Sequence, residues 1–238
     1  MQNLSPHPRQ NISIIIPVGQ GDSSWRQLIR QLVDLAWTSE VIIAATDAAP
    51  ADFPLVPSWQ WLVCSRGRPQ QMNAAAQIAS GDYLWFLHAD SIIENQNLES
   101  LSAAIGKYPK HLLFFRLGFA NGSRLMRLTE MGVAFRSGVL KLPFGDQGLC
   151  IAREVFYNLG KFTLDWPFGE DHHFVWKCHL NKIGVFNIAS TLKTSPRKYQ
   201  DRGWFKTTQF HLRSTVKQAA PMIFALIKKR FFRSRVLK

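Results

Sequence analysis

Cysteine is scarce in this chain of 238 residues. Cys64, Cys150 and Cys178 are odd in number and widely spaced, and no Cys-x-x-Cys pair occurs. That argues against a zinc site or a disulfide framework. The expectation is reduced, buried thiols in a cytoplasmic protein. Long apolar runs are missing as well. Ala219 to Ile227, the longest late run, has nine residues and contains Pro221, against the ~18–20 that a membrane span needs. The first 11 residues are polar, include two prolines and show no signal-peptide core. Internal repeats and low-complexity stretches are absent. Acidic residues are few: 16 Asp+Glu against 29 Lys+Arg, a net charge of +13.

That charge is unevenly distributed. From Ser195 to Lys238 there are 12 basic residues and one acid, Asp201, so this segment carries +11 and the rest of the chain +2. A uniformly basic nucleic-acid coat is therefore excluded. The late basic residues alternate with Ile223, Phe224, Leu226, Ile227, Phe231 and Phe232. Met222 to Lys238 reads as a basic amphipathic helix, which suits an anionic membrane surface better than a duplex. The plainer alternative is a C-terminal helix packed on the body with a solvated charged face.

What is present is a globular composition, 46% apolar and 12% aromatic, in a chain long enough for one domain with a tail. The expected division is residues 1–210 as the domain and 211–238 as the tail. Ile12 to Ile16, Glu40 to Ala45, Trp59 to Cys64 and Tyr83 to Leu87 read as short buried strands. Helices are expected from Trp25 to Leu35 behind an Asp22-Ser23-Ser24 cap, from Gln70 to Ala79, and from Asn97 to Tyr108. His111 to Ala120 reads as a further strand and Leu125 to Gly138 as a helix. This order predicts an α/β fold with a mostly parallel central sheet flanked by helices. Ligands on such sheets bind beyond the strand C-termini, so the loops after Ile16, Ala45 and Leu87 are the places to look.

Gly67-Arg68-Pro69-Gln70-Gln71-Met72-Asn73, followed by Ser80-Gly81-Asp82 and a buried strand into His88-Ala89-Asp90, is the most telling stretch. Asp90 at a strand end suits a hard cation held mainly by substrate phosphates; alternatively it caps the next helix. Arg66 and Arg68 precede a helix N-terminus, an arrangement that favours phosphate. Glu170-Asp171 either starts a helix and complements its dipole or supplies a general base. His172 and His173 would point about 100° apart on a helix and so would not chelate together. Gly145-Asp146-Gln147-Gly148 is either a plain turn or an acid and an amide placed to grip hydroxyl groups.

Together these residues resemble family-2 glycosyltransferases of the GT-A (Rossmann-like) fold over roughly residues 12–210. The matching features are Ile14-Ile15-Ile16-Pro17, the Gly67 to Ser91 block with His88-Ala89-Asp90 in the Asp-x-Asp place, and Glu170-Asp171. Gly-Arg-x-x-Gln-Met-Asn, His-Ala-Asp, Gly-Asp-Gln and the late Arg202-Gly203-Trp204 look most like the bacterial radical-SAM/selenodomain-associated transferase 2 subgroup. The resemblance implies an inverting hexosyltransferase-type enzyme that moves a sugar from a nucleotide-diphosphate sugar to a hydroxyl acceptor, lipid-linked if the tail docks on the inner face of the cytoplasmic membrane. Asp171 would be the base and Glu170 its support. Pro17, Arg66, Arg68, Asn73, His88 and Asp90 would bind the donor, with Asp90 on Mg²⁺ or Mn²⁺. Asp146, Gln147, Arg202 and Trp204 would line the acceptor side. No nucleic-acid partner is implied. Three positions depart from the family pattern: Gly19-Gln20-Gly21 replaces a polar pair, Ala45 stands where a nucleoside-holding Asp is usual with Asp47 two residues on, and His88 replaces the first Asp of Asp-x-Asp. They motivate the alternative of a catalytically impaired, glycosyltransferase-like binding or scaffold protein.

Overall fold

The computed structural model describes residues 11–37, 39–120, 123–164, 169–196, 199, 203–209 and 213–214. The tail expected from 211 to 238 therefore lies almost wholly outside the described residues, as do Trp166, Pro167, Phe168 and Arg202.

Eight strands form one sheet: β1 (Ile12–Pro17), β2 (Val41–Ala45), β3 (Trp59–Val63), β4 (Tyr83–Phe86), β5 (Ser91–Ile92), β6 (Leu112–Phe119), β7 (Cys150–Ala152) and β8 (Val185–Thr194). Their spatial order is β3-β2-β1-β4-β7-β6-β8-β5. β3, β2, β1 and β4 pair in parallel, as do β6 and β8. β7 runs against both its neighbours, and β5 runs against β8. The run Ile14-Ile15-Ile16 is fully buried because a central parallel strand is covered on both faces.

Alternate strand residues enter two cores. Ile14, Ile16, Trp85 and Phe115 face α1 (Trp25–Asp34) and α3 (Asn95–Lys107). Ile15, Ile42, Phe86 and Phe114 face α2 (Arg68–Ile78), α5 (Arg153–Asn158) and α6 (Glu170–Leu180). Ala75 and Ala76 let α2 lie close on the sheet. The remaining helix, α4 (Arg124–Gly138), packs against β6.

The sheet must curl. Flat, the four strand spacings from β4 to β5 would span roughly 19 Å at about 4.8 Å each. The five-residue step from Phe86 to Ser91 reaches at most about 18 Å, and it is shortened by a turn in which the Ser91 N–H donates to His88 O at 3.0 Å. The short link therefore pulls the β8 edge back toward β4 and curves the molecule around the strand ends.

The opposite end of the sheet is fastened by a buried polar knot. Ser13 Oγ donates to Glu40 Oε2 at 2.5 Å, the Ser80 N–H donates to the same oxygen at 2.8 Å, and the Gly81 N–H donates to Ser13 Oγ at 2.9 Å. Gly81 has no room for a side chain, since a Cβ would stand 2.6 Å from Ser13 N.

Some expectations need correction. Ser24 makes no side-chain cap bond; Asp22 Oδ1 instead accepts from the Ser24 N–H at 2.9 Å. The Gln70 helix starts at Arg68. Asp90 does not cap α3, whose N-cap is Glu94, with the Glu94 N–H donating to Asn97 Oδ1 at 2.8 Å. β5, β7, β8 and α5 were not expected. β8 escapes a period-two reading because its register against β6 shifts between Phe115 and Arg116, which face Ile188 and Thr191. The extra residues break the apolar alternation.

Candidate active site

A cavity of about 560 Å³ opens beyond the C-terminal ends of β1, β2 and β4. Pro17, Gly19, Gln20 and Asp22 line it from β1, Thr46 from β2, Arg66 and Arg68 from the start of α2, and His88 and Asp90 from the turn after β4. Gln71 closes its floor. Its Nε2 donates to Val18 O at 2.7 Å and to Ala44 O at 2.8 Å, tying two strand ends together.

Beside the cavity four side chains converge. Arg68 Nη2 contacts His88 Nε2, and Arg68 Nε lies 3.3 Å from Glu170 Oε1. Glu170 and Asp171 open α6. The Gly145 N–H donates to Asp171 Oδ2 at 2.6 Å, and the His172 N–H donates to Asp171 Oδ1 at 2.7 Å. Gly145 is the shared wall: a Cβ there would stand 2.9 Å from Asp171 Oδ2 and 3.1 Å from His88 Nε2, and would strike Arg68 Nη2. Glu170 is 4% exposed. Burial pushes its carboxyl above the usual range; the Arg68 charge pulls it back and the Asp171 charge adds to the rise.

The 3-10 turn Gly145–Gln147 joins this group to a second cluster. Arg136 of α4 lies over the Phe144 ring, 3.3 Å from its centroid, and its Nη2 donates to Gln147 Oε1 at 3.3 Å. Burial lowers the Arg136 pKa, while the charges of Asp146, Asp171 and Tyr199 oppose that change. The Tyr199 hydroxyl is pushed up to about 12, chiefly by burial and then by Asp146.

The structure thus brings together Pro17, Arg66, Arg68, His88 and Asp90 in the cavity wall, with Glu170 and Asp171 joined to that wall through Arg68 and Gly145. Asn73 is turned away. Its Nδ2 donates to Phe162 O at 2.8 Å and its Oδ1 accepts from the Phe162 N–H at 3.1 Å. Gln71 and Asn73 stand two residues apart on a helix, about 200° around its axis, so only Gln71 reaches the cleft. Gln147 is fully buried. Its Nε2 donates to Phe115 O at 2.9 Å and to Ser137 Oγ at 3.1 Å, and its Oε1 accepts from the Phe144 N–H at 3.2 Å. It braces the turn from within the fold and is closed off from any ligand. Trp204 Nε1 donates to Thr129 Oγ1 at 2.8 Å, which fixes that ring on α4. Sequence reasoning missed Gln71, Thr46 and Arg136. Arg136 is one of three arginines in α4, and nothing in the sequence sets it apart from Arg124 and Arg127.

The chain matches the family model for glycosyl transferase family 2 over residues 62–180, half of its length. No curated protein sequence matches. Among solved structures, S. aureus TarS 1–349 superposes with a TM-score of 0.63 at 15% identity, over 81% of this chain and 63% of that one. The same protein in complex with UDP-GlcNAc gives 0.58 at 15%, over 78% and 58%. GalNAc-T7 with UDP, GalNAc and Mn²⁺ gives 0.58 at 14%, over 78% and 44%. The chain therefore spans between about two fifths and two thirds of the solved chains it resembles, and the likeness is one of GT-A fold. The family match begins in β3 and ends with α6, so it contains Arg68, His88, Asp90, Gly145, Glu170 and Asp171. The family match over half of the chain, which includes the Arg66, Arg68, His88 and Asp90 wall of a cleft at parallel strand ends, identifies this chain as a member of glycosyl transferase family 2.

Proposed function

We propose that this chain is an inverting glycosyltransferase that moves a hexosyl group from a nucleotide-diphosphate sugar to a hydroxyl acceptor. The observation that carries the reading is Asp171, held at the first turn of α6 by the Gly145 N–H, beside the Arg68 and His88 wall of the donor-sized cavity. Each Asp171 oxygen has one N–H bond and keeps acceptor capacity, so it can take the acceptor's proton. As the acceptor oxygen bonds to the sugar's anomeric carbon, the bond to the diphosphate breaks and the nucleotide leaves. Arg68 and Arg66 stand where its charge grows. Glu170 orients Arg68, and Asp146 lines the acceptor side, with Arg136 balancing its charge. A single displacement needs no covalent enzyme intermediate.

The donor set in the cleft fits a phosphate-bound Mg²⁺ or Mn²⁺. Among the described residues no group of three His, Cys, Asp or Glu side chains converges on one point. His88 Nε2 is turned to Arg68, which leaves Asp90 as the protein ligand. One carboxylate plus substrate phosphates is a usual arrangement for Mg²⁺. The cation would neutralise charge on the departing diphosphate. The Mn²⁺ in the GalNAc-T7 structure and the UDP-sugar in the TarS structure support this choice of cation and donor.

The finer assignments follow from the sequence: a bacterial protein of the radical-SAM/selenodomain-associated transferase 2 kind, cytoplasmic, with a catalytic domain to about residue 210 and a basic tail beyond it. Among the described residues no helix is long and apolar enough to cross a membrane. The tail composition favours a peripheral site on the inner membrane face and a lipid-linked acceptor.

Ala45, buried at the end of β2, and His88, occupied by Arg68, favour a second reading as a donor-binding protein without turnover. Thermal shift and sugar release with a panel of nucleotide sugars and Mn²⁺ separate the two. Stabilisation with release supports the transferase; stabilisation alone supports the binding protein.

A further inference from the structure

We propose that the outer face of α4 is the surface by which this protein docks on an anionic lipid bilayer. It rests on the transferase reading only for the acceptor that the bilayer would present.

The inner side of α4 is accounted for. Met126 and Ser137 are buried, and Glu130 accepts from the Phe119 N–H at 2.8 Å. The apolar side of the helix is the outer one. Leu128, Met131, Phe135 and Val139 recur at three- and four-residue spacing, which puts them in one stripe. They are 55%, 68%, 60% and 65% exposed, and Leu125 and Leu140 extend the stripe at 46% and 52%. A helix normally turns its apolar stripe to a neighbour, and contiguous exposed apolar surface marks an interaction or membrane site.

Charge identifies the neighbour. Arg124, Arg127 and Lys141 are exposed beside the stripe. The helix's only acid, Glu130, is tied to β6. Trp204 is bonded to Thr129, so the chain leading into the C-terminal segment passes against α4, and Phe205 stands 71% exposed next to it. Residues 215–238 carry seven basic residues and no acid. That segment laid over α4 would set cation against cation, and so would a second copy of the same face. Anionic head groups attract both segments. The stripe would then enter the head-group boundary while the arginine and lysine stems reach out to phosphates. Because α4 carries Arg136 on its inner side toward Asp146 and Asp171, docking would bring the acceptor side of the cleft beside the bilayer.

The test is co-sedimentation of the full chain with phosphatidylglycerol-containing vesicles and with pure phosphatidylcholine vesicles. The wild type should pellet with the first and stay in solution with the second. L128S/F135S/V139S should lose at least about tenfold in partitioning, as expected when the apolar face supplies most of the attachment, with unchanged thermal unfolding. Equal partitioning of the triple variant, or equal binding to neutral vesicles, overturns the proposal. F135W gives a second readout. Its added emission should shift to shorter wavelength and be quenched by brominated acyl chains; no change on adding anionic vesicles overturns the proposal. Sedimentation velocity without lipid should show a monomer, and a dimer that the triple variant dissolves would overturn the docking role in favour of self-association. Nucleotide-sugar binding is measured separately, without vesicles. Vesicle attachment in a protein that binds no nucleotide sugar would support the docking surface while removing the transferase reading.

Discussion

Glu170 and Asp171 are adjacent in the chain, yet the fold treats them differently. Glu170 is desolvated, with Arg68 as its ion partner; Asp171 is gripped by two backbone N–H groups. Two predictions follow from that difference and a third from the glycine beside them. Asp171→Asn should reduce sugar transfer by about 10²–10⁴, the usual worth of a positioned base, with donor affinity by thermal shift preserved; ordinary turnover would remove Asp171 from the base role. Glu170 has a folded pKa above its unfolded one, so the stability it contributes is full at low pH and is lost as pH rises through the folded value. Glu170→Gln should therefore melt higher than the wild type at neutral pH, and the gap should close as pH falls into the carboxylate range. A gap that widens in acid would contradict the burial effect. Gly145→Ala should lower kcat with little change in melting temperature, because its methyl group meets Arg68, Asp171 and His88. Steady-state kinetics beside a melting curve checks this. At this scale the sequence was informative where chemistry clusters locally, as in Glu170-Asp171 and His88-Ala89-Asp90. Arg136 was not legible because its partners, Asp146 and Tyr199, come from other elements.

Helical spacing decides which residue of the Gln71-Met72-Asn73 stretch serves the cleft. The motif alone singles out Asn73, but the rotation of α2 hands Asn73 to the Phe162 backbone and Gln71 to the strand ends. The apolar strands β1, β2 and β4 were legible because uninterrupted Ile, Val, Leu and aromatic runs have few alternatives. β8 was not, since its bulge opposite Phe115 and Arg116 conceals the alternation. The turn between the two clusters ends at Gly148, with φ 60°, where a Cβ would stand 2.7 Å from Leu192 Cδ2 and 3.1 Å from Trp85 Nε1. Gly148→Ala combines a left-handed backbone with overpacking and should cost at least about 2 kcal/mol. Urea unfolding at constant m checks that figure; a change under 0.5 kcal/mol, the ordinary range of a surface substitution, would show that the turn can relax.

For the molecule as a whole, ligand linkage offers the broadest test. A donor that binds only the folded chain should stabilise it by about 2.7 kcal/mol at a hundred times its Kd. With Asp90→Ala the contribution of added Mn²⁺ to that shift should disappear while the cation-free shift remains. The overall sheet class was legible from the alternation of strands and helices. The curl was not, because it arises from the length of one link measured against four strand widths, a relation between distant parts of the chain. That link contains His88, Ala89 and Asp90, so these cleft residues form a short tether between β4 and the far edge strand β5. Any spreading of β4 from β5 must load this tether before it disturbs anything else. This end of the cleft should behave as the stiff hinge of the molecule, and motions that open the cleft should pivot about Asp90 while leaving it in place.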